Sequence, residues 1–195
     1  MRGQPTSQQA LPRVYATAVR AQIWPQPADD EQATARTISL MWQVARQSSQ
    51  HPLIQQATAQ ATAGARSARQ RAEQIFWWVK RHVGFTEDEQ HAHALGLAPD
   101  TELIIWPADL LTMARPAGDC DDHATLVASM LIAAGIEPEF TTIAADPERP
   151  DTYSHVYARA RVDGETVALD TSHGAYPGWE ARAQGKKKCG QQTAN

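Results

Sequence analysis

The residues with the greatest chemical potential lie in the segment GDCDDHATLVASMLIAAG, residues 118–135. It holds Cys120, one of only two cysteines in the chain, flanked by Asp119, Asp121 and Asp122, with His123 three positions on. Carboxylates beside a thiol oppose its ionisation. Three roles are therefore open to Cys120: a metal ligand, a small buried hydrophobe, or a nucleophile whose base lies elsewhere. Beyond Asp119 the pattern is helical, with Ala124, Val127, Ala128, Leu131 and Ile132 on one stripe and Gly135 suited to the C′ position. Asp119 is a natural N-cap, which puts Cys120 at the first helical position. There the backbone N–H groups and the positive helix end favour a thiolate. Asp121 and Asp122 favour the same helix end and compete for its field. Because Cys120 precedes the stripe and sits among charges, a buried structural role fits poorly. As metal ligands, Asp119, Asp121, Asp122 and His123 would fan around the first turn without converging. His123 reads as a polar residue on a helix face.

A more suitable histidine occurs in SHVYARARV, residues 154–162. His155, Tyr157, Arg159 and Arg161 alternate with Val156, Ala158, Ala160 and Val162, as in a strand. Asp163-Gly164 is a strong two-residue hairpin turn, and ETVALD, residues 165–170, is the return strand. This register pairs Val162 with Glu165, Arg159 with Ala168 and Tyr157 with Asp170. Asp170 then shares a face with His155 in a diagonal relation, with backbones about 7–8 Å apart. A carboxylate beside an imidazole fixes its tautomer and stabilises its charged form, which is the orienting role in a Cys-His-Asp triad.

These residues need elements to position them. The chain has 195 residues, 42% of them hydrophobic, enough for one domain with an appendage. Residues 1–28, rich in Gln, Pro and Ala, read as a flexible arm with one short helix around Val14–Ile23. Residues 29–63 read as a helical extension, opened by Asp29 or Asp30 and interrupted at His51-Pro52. A stronger helix covers about residues 65–83, with Trp77 and Trp78 widening its buried stripe. Residues 84–105 read as irregular and acidic. His91 and His93 within them read as part of a solvated loop. Pro107 opens a short helix, and Pro116-Ala117-Gly118 leads into the cysteine segment. Residues 181–195 are polar and unpatterned, a flexible tail in which nothing would hold Cys189.

Composition narrows the partners. The net charge of −4 divides into +6 over residues 1–82 and −10 over residues 83–195. The arginines of the first part are scattered at helical spacing, which suits a solvated helix face rather than a nucleic-acid footprint. No run approaches the roughly 20 apolar residues of a membrane span. No apolar h-region follows the first methionine. Two cysteines do not make a disulfide framework, and no Cys/His spacing suggests zinc. A reducing, cytoplasmic setting is the expectation.

GDCDDHA, SHVYARARVDG and VALDTSHG together resemble the transglutaminase-like superfamily of papain-like thiol enzymes. QIFWWVKRHVGF, the Pro-containing segment before the cysteine and Gly178-Trp179 are similar to its compact bacterial and phage-encoded members. The resemblance covers residues 64–180. It implies Cys120 as nucleophile, His155 as general base and acid, and Asp170 as orienter, with no metal or other cofactor. It also implies a thioester intermediate, and the Cys120 N–H as one oxyanion donor. Trp106 and Tyr157 are candidates for lining the cleft. The implied fold is α+β: the cysteine helix packs on a small antiparallel sheet of about Glu139–Ile143, Ser154–Val162 and Glu165–Asp170, joined by extra N-terminal helices. The implied activity is that of a peptidase or amidase acting on a protein or peptide. The alternatives are a cross-linking transglutaminase and a structural or assembly protein, such as a phage virion component, docking a protein partner through its basic N-terminal helices.

Overall fold

The computed structural model describes residues 9–10, 20–25, 30–87, 90 and 101–190. Its centre is the cysteine helix, here α5 (Cys120–Ala133), capped by Asp119. The Asp119 Oδ1 accepts from the Asp121 and Asp122 N–H groups at 3.1 and 3.4 Å. At the other end the chain leaves through Gly135 at φ +72°, the left-handed conformation a C′ glycine supplies. Both helix ends therefore fall where capping chemistry puts them. Burial exceeds the expected stripe: every residue from Asp121 to Leu131 is buried. The reason is that α5 is enclosed, packed by helices on one side and by the sheet on the other.

The helices come from the N-terminal half. α1 (Asp30–Ser48) packs along α5 through Met41, Val44 and Ala45. α2 (Pro52–Ala61) starts directly after it, with Pro52 at N1 and His51 as N-cap. α3 (Ala68–His82) is capped by Ser67 and buries Ala72, Ile75, Phe76 and Val79. Those four fill the inward stripe, so Trp77 falls outside it and is exposed, its ring edge-on to Phe76 at 5.0 Å. Trp78 is half-buried and stacks on His82. The expectation that both would widen the buried stripe is corrected at Trp77. The short α4 (Pro107–Leu110) follows as expected, with Trp106 buried at its N-cap.

The main sheet is antiparallel. It contains β6 (Glu137–Ile143), β7 (His155–Val162), β8 (Glu165–Leu169) and β9 (Lys187–Gly190), in the order β8-β7-β6-β9. The hairpin register is the one the turn implies, Val162 with Glu165 and Arg159 with Ala168. Asp163 at φ +54° and Gly164 at φ +80° give a turn with both central residues left-handed, matching the strand twist. The alternating face of Val156, Ala158, Ala160 and Val162 enters the core. Trp42 of α1 meets Phe140 of β6 edge-on at 5.0 Å.

Three segments differ from expectation. β9 lies in the segment read as a tail: Cys189 pairs with Thr141, and the Thr141 hydroxyl donates to its sulfur. Sheet pairing satisfies a backbone whose side chains carry no apolar pattern. β2 (Arg20–Pro25) replaces the helix expected up to Ile23, pairing with β1 (Gln9–Ala10) and β4 (Thr101–Ile105). β4, together with β3 (Gly84–Phe85), replaces irregular structure at the ends of residues 84–105. Each needs a partner strand distant in sequence. His91 and His93 lie outside the described residues. No helix is long and apolar enough to cross a membrane among the described residues.

β3 pairs in parallel with β5 (Ala117–Gly118), the residues just before the helix cap. A Cβ on Gly118 would lie 2.5 Å from the Asp122 carboxylate, which is fully buried. That carboxylate accepts from the Ile105 N–H at 2.7 Å and cannot retreat without breaking the bond. Gly118→Ala is expected to destabilise the protein by about 1–3 kcal/mol through overpacking, read as a lower urea midpoint at unchanged m-value.

Candidate functional site

The fold holds the first turn of α5 against the end of the β7–β8 hairpin. Cys120 is the first residue of α5, half-buried against the core. One turn on, His123 is buried and uses both ring nitrogens: Nε2 lies 3.1 Å from the Gly84 carbonyl and Nδ1 lies 3.0 Å from the Thr171 hydroxyl. A carbonyl only accepts, so Nε2 carries the proton and Nδ1 receives the Thr171 O–H. His123 is thus a buried tie between helix, β3 and the residue after Asp170, not the helix-face residue expected. Its burial holds its pKa below the usual histidine range, against the opposing pull of the Gly84 bond.

His155 opens β7 and is buried, as is Asp170, which follows β8. The His155 Nε2 donates to the Asp170 Oδ2 at 2.8 Å, the diagonal contact the register allows. Asp170 Oδ1 accepts from the Ser172 hydroxyl at 2.9 Å and from the His173 N–H at 3.0 Å. Burial pushes the Asp170 carboxyl up. The His155 bond and charge outweigh it, helped by the His173 and Ser172 bonds, and hold it at about 2. Asp170 is therefore a carboxylate at neutral pH, and it fixes the His155 tautomer with the proton on Nε2. The other nitrogen, Nδ1, is left as the basic one.

A tight turn follows Asp170. The Gly174 N–H donates to the Asp170 carbonyl at 2.8 Å, and a Cβ on Gly174 would collide with that oxygen. This turn brings the exposed His173 edge-on to His155, centroids 4.9 Å apart, and Phe85 of β3 packs edge-on to His173, also at 4.9 Å. Burial and the neighbouring charge of His155 lower the His173 pKa. Lys80 of α3 reaches the Ser172 carbonyl at 3.5 Å.

Sequence reasoning assigned no role to Phe85, Thr171, Ser172 or His173. The signal for the last lay within VALDTSHG, where Asp170 and His173 are three apart, the spacing of one helical turn. Of the two weak candidates, Tyr157 is buried and stacks 5.9 Å from His155, its pKa raised first by burial and then by Glu180. Trp106 is buried at the start of α4. Asp119, Asp121 and Asp122 do converge, each with a carboxylate oxygen within 4.8 Å of the others. The expectation that they fan apart is corrected: capping turns Asp119 back over the first turn.

The mixed α+β core thus carries a cysteine at the tip of its central helix and a His–Asp pair at the adjacent strand ends. The family model described as the transglutaminase-like superfamily matches residues 55–171, more than half of the chain, and the chain belongs to that superfamily. Membership supports a cysteine enzyme in general. No curated protein matches the chain. Three solved structures are similar. A "putative protease" from Parabacteroides distasonis aligns at 17% identity and TM-score 0.48, over 72% of this chain and 26% of that one. A "putative cysteine protease" from Cytophaga hutchinsonii aligns at 16% and 0.45, over 73% and 52%. A structure described as "a TGase" aligns at 13% and 0.41, over 80% and 36%. The chain spans about a quarter to a half of the length of these structures.

The depressed His123 pKa has a sign. The unfolded chain binds a proton near pH 6.5 that the folded chain binds only at lower pH. The stabilisation is complete above about pH 6.5 and is lost as pH falls toward the folded value. His173 contributes in the same direction. The melting temperature is expected to fall from pH 7 to pH 5, and less steeply in His123→Gln, measured by calorimetry across that range.

Proposed function

We propose that the protein is a cysteine-dependent acyl-transfer enzyme that hydrolyses amide bonds of a protein or peptide. Cys120 is its nucleophile, His155 its general base and acid, and Asp170 the group that orients His155. The observation that carries this reading is the buried 2.8 Å bond from His155 Nε2 to Asp170 Oδ2. It leaves Nδ1 as the basic nitrogen, on a strand packed against the helix that Cys120 begins.

The Cys120 thiol gives its proton to His155 Nδ1, and the thiolate attacks the amide carbonyl. The developing oxyanion is met by the Cys120 N–H at the helix start. His155 then gives its proton to the leaving amine, and a thioester remains on Cys120. Water attacks the thioester, passing a proton to Nδ1, and collapse releases the acid and the thiolate, which recovers that proton. Asp170 stays ionised throughout and stabilises the imidazolium each time it forms. Transfer to a lysine amine would use the same steps with a different acceptor; water is the proposed acceptor.

Two measurements test this in a Cys189→Ala background, so that one thiol remains. Cys120 is expected to react with iodoacetamide at pH 7 at least about tenfold faster than glutathione, with Asp170→Asn slowing turnover on the order of 100-fold or more. Labelling no faster than glutathione would sink the enzyme reading. Mass spectrometry of candidate proteins incubated with wild type and Cys120→Ala separates cleavage, cross-linking and no reaction.

A further inference from the structure

Beyond the proposed hydrolysis, the turn after Asp170 adds to the His155–Asp170 pair a third donor, His173, that the reaction does not use. His155, Asp170 and His173 each offer a ligand atom within 4.8 Å of the other two. Two imidazoles and a carboxylate are the donor types that borderline-soft divalent metals prefer.

The hydrogen bonds around the set fix where its protons lie, and a metal would replace the one proton shared by His155 Nε2 and Asp170 Oδ2. The Ser172 hydroxyl donates its one proton to Asp170 Oδ1. Its oxygen can then only accept from His173 Nδ1, 3.1 Å away. His173 therefore carries its proton on Nδ1 and presents the Nε2 lone pair. A ligating histidine whose other nitrogen donates to a fixed oxygen is the usual support of a metal site. Asp170 Oδ1 is held by Ser172 and the His173 N–H, leaving Oδ2 beside His155 Nε2. Metal–ligand bonds of about 2.0–2.2 Å require donors about 3.3–3.5 Å apart. The donors lie within 4.8 Å of one another, so binding requires the set to adjust by an ångström or so at most, and the exposed side chain of His173 is the one placed to move.

We propose that His155, Asp170 and His173 bind a divalent transition metal such as Zn²⁺, and that occupancy switches off the chemistry at Cys120. The metal takes His155 Nε2 and displaces its proton. The neutral ring then carries its proton on Nδ1, and one proton leaves to solvent when the ring began as imidazolium. With Nδ1 protonated, His155 cannot accept the proton of the thiol. The inhibitory half rests on the reading of His155 as the base for Cys120; the binding half does not.

Binding is tested without any thiol. Untagged Cys120→Ala/Cys189→Ala protein is titrated with ZnCl2 by calorimetry and with CoCl2 by visible absorption. One equivalent is expected, weakened at least about tenfold by His173→Gln and by His155→Gln. The exposed position of His173 keeps the first variant folded, checked by circular dichroism. No binding up to millimolar metal, or binding unchanged in both variants, overturns the site. Inhibition is tested in Cys189→Ala protein. ZnCl2 should slow alkylation of Cys120, EDTA should restore it, and His173→Gln should relieve the slowing. Slowing that persists equally in His173→Gln overturns the switch. Slow alkylation without metal, alongside intact binding in the thiol-free protein, defeats the enzyme reading alone.

Discussion

A helix start rich in charge is carried into the core, and every polar group there must find a partner. Burying Asp122 and His123 without hydrogen bonds would cost several kcal/mol each. The Asp122 carboxylate takes the Ile105 N–H, and His123 takes the Gly84 carbonyl and the Thr171 hydroxyl. These partners come from β4, from β3 and from the residue after Asp170. The same bonds that make the helix start tolerable therefore fix the segments around it. Cys120 takes its place at the helix tip from the bonds of Asp119, Asp122 and His123 around it.

The same bonds bear on the difficulty posed by carboxylates beside a thiol. Asp119 spends one oxygen on two backbone N–H groups of the first turn, and Asp122 points to β4. Their charge is partly answered by the helix end and by the backbone dipoles they accept from. The carboxylate that matters most for His155 is Asp170, drawn from fifteen residues downstream and ionised by the bonds it accepts. Proximity in sequence to the cysteine is thus a poor guide to which acid pairs with His155.

Local chemistry was legible in the sequence; long-range pairing was not. The Asp119 cap, the Gly135 exit, the Asp163-Gly164 turn and the face shared by His155 and Asp170 all follow from rules that span a few residues. β2 and β9 are strands because distant segments accept them, and residues such as Lys187, Lys188 and Gly190 carry no pattern announcing it. His123 looked like a surface residue because its two partners are 39 and 48 residues away. Trp77 shows the opposite error: an apolar side chain read as buried lies exposed because α3 had already filled its inward stripe. His173 went unassigned because its role depends on a ring that only the folded hairpin brings near.

The two-residue turn at Asp163-Gly164 also constrains what evolution can do between residues 155 and 170. Side chains alternate along each strand, so one residue gained or lost on a single arm turns every later side chain to the opposite face. Such a change would send Asp170 away from His155 while leaving the hairpin itself well formed. Length variation among descendants of this chain must then fall outside that span, or arrive in matched pairs across the two arms. The link between His155 and Asp170 is in this sense a counting rule, protected by parity rather than by the chemistry of the residues between them.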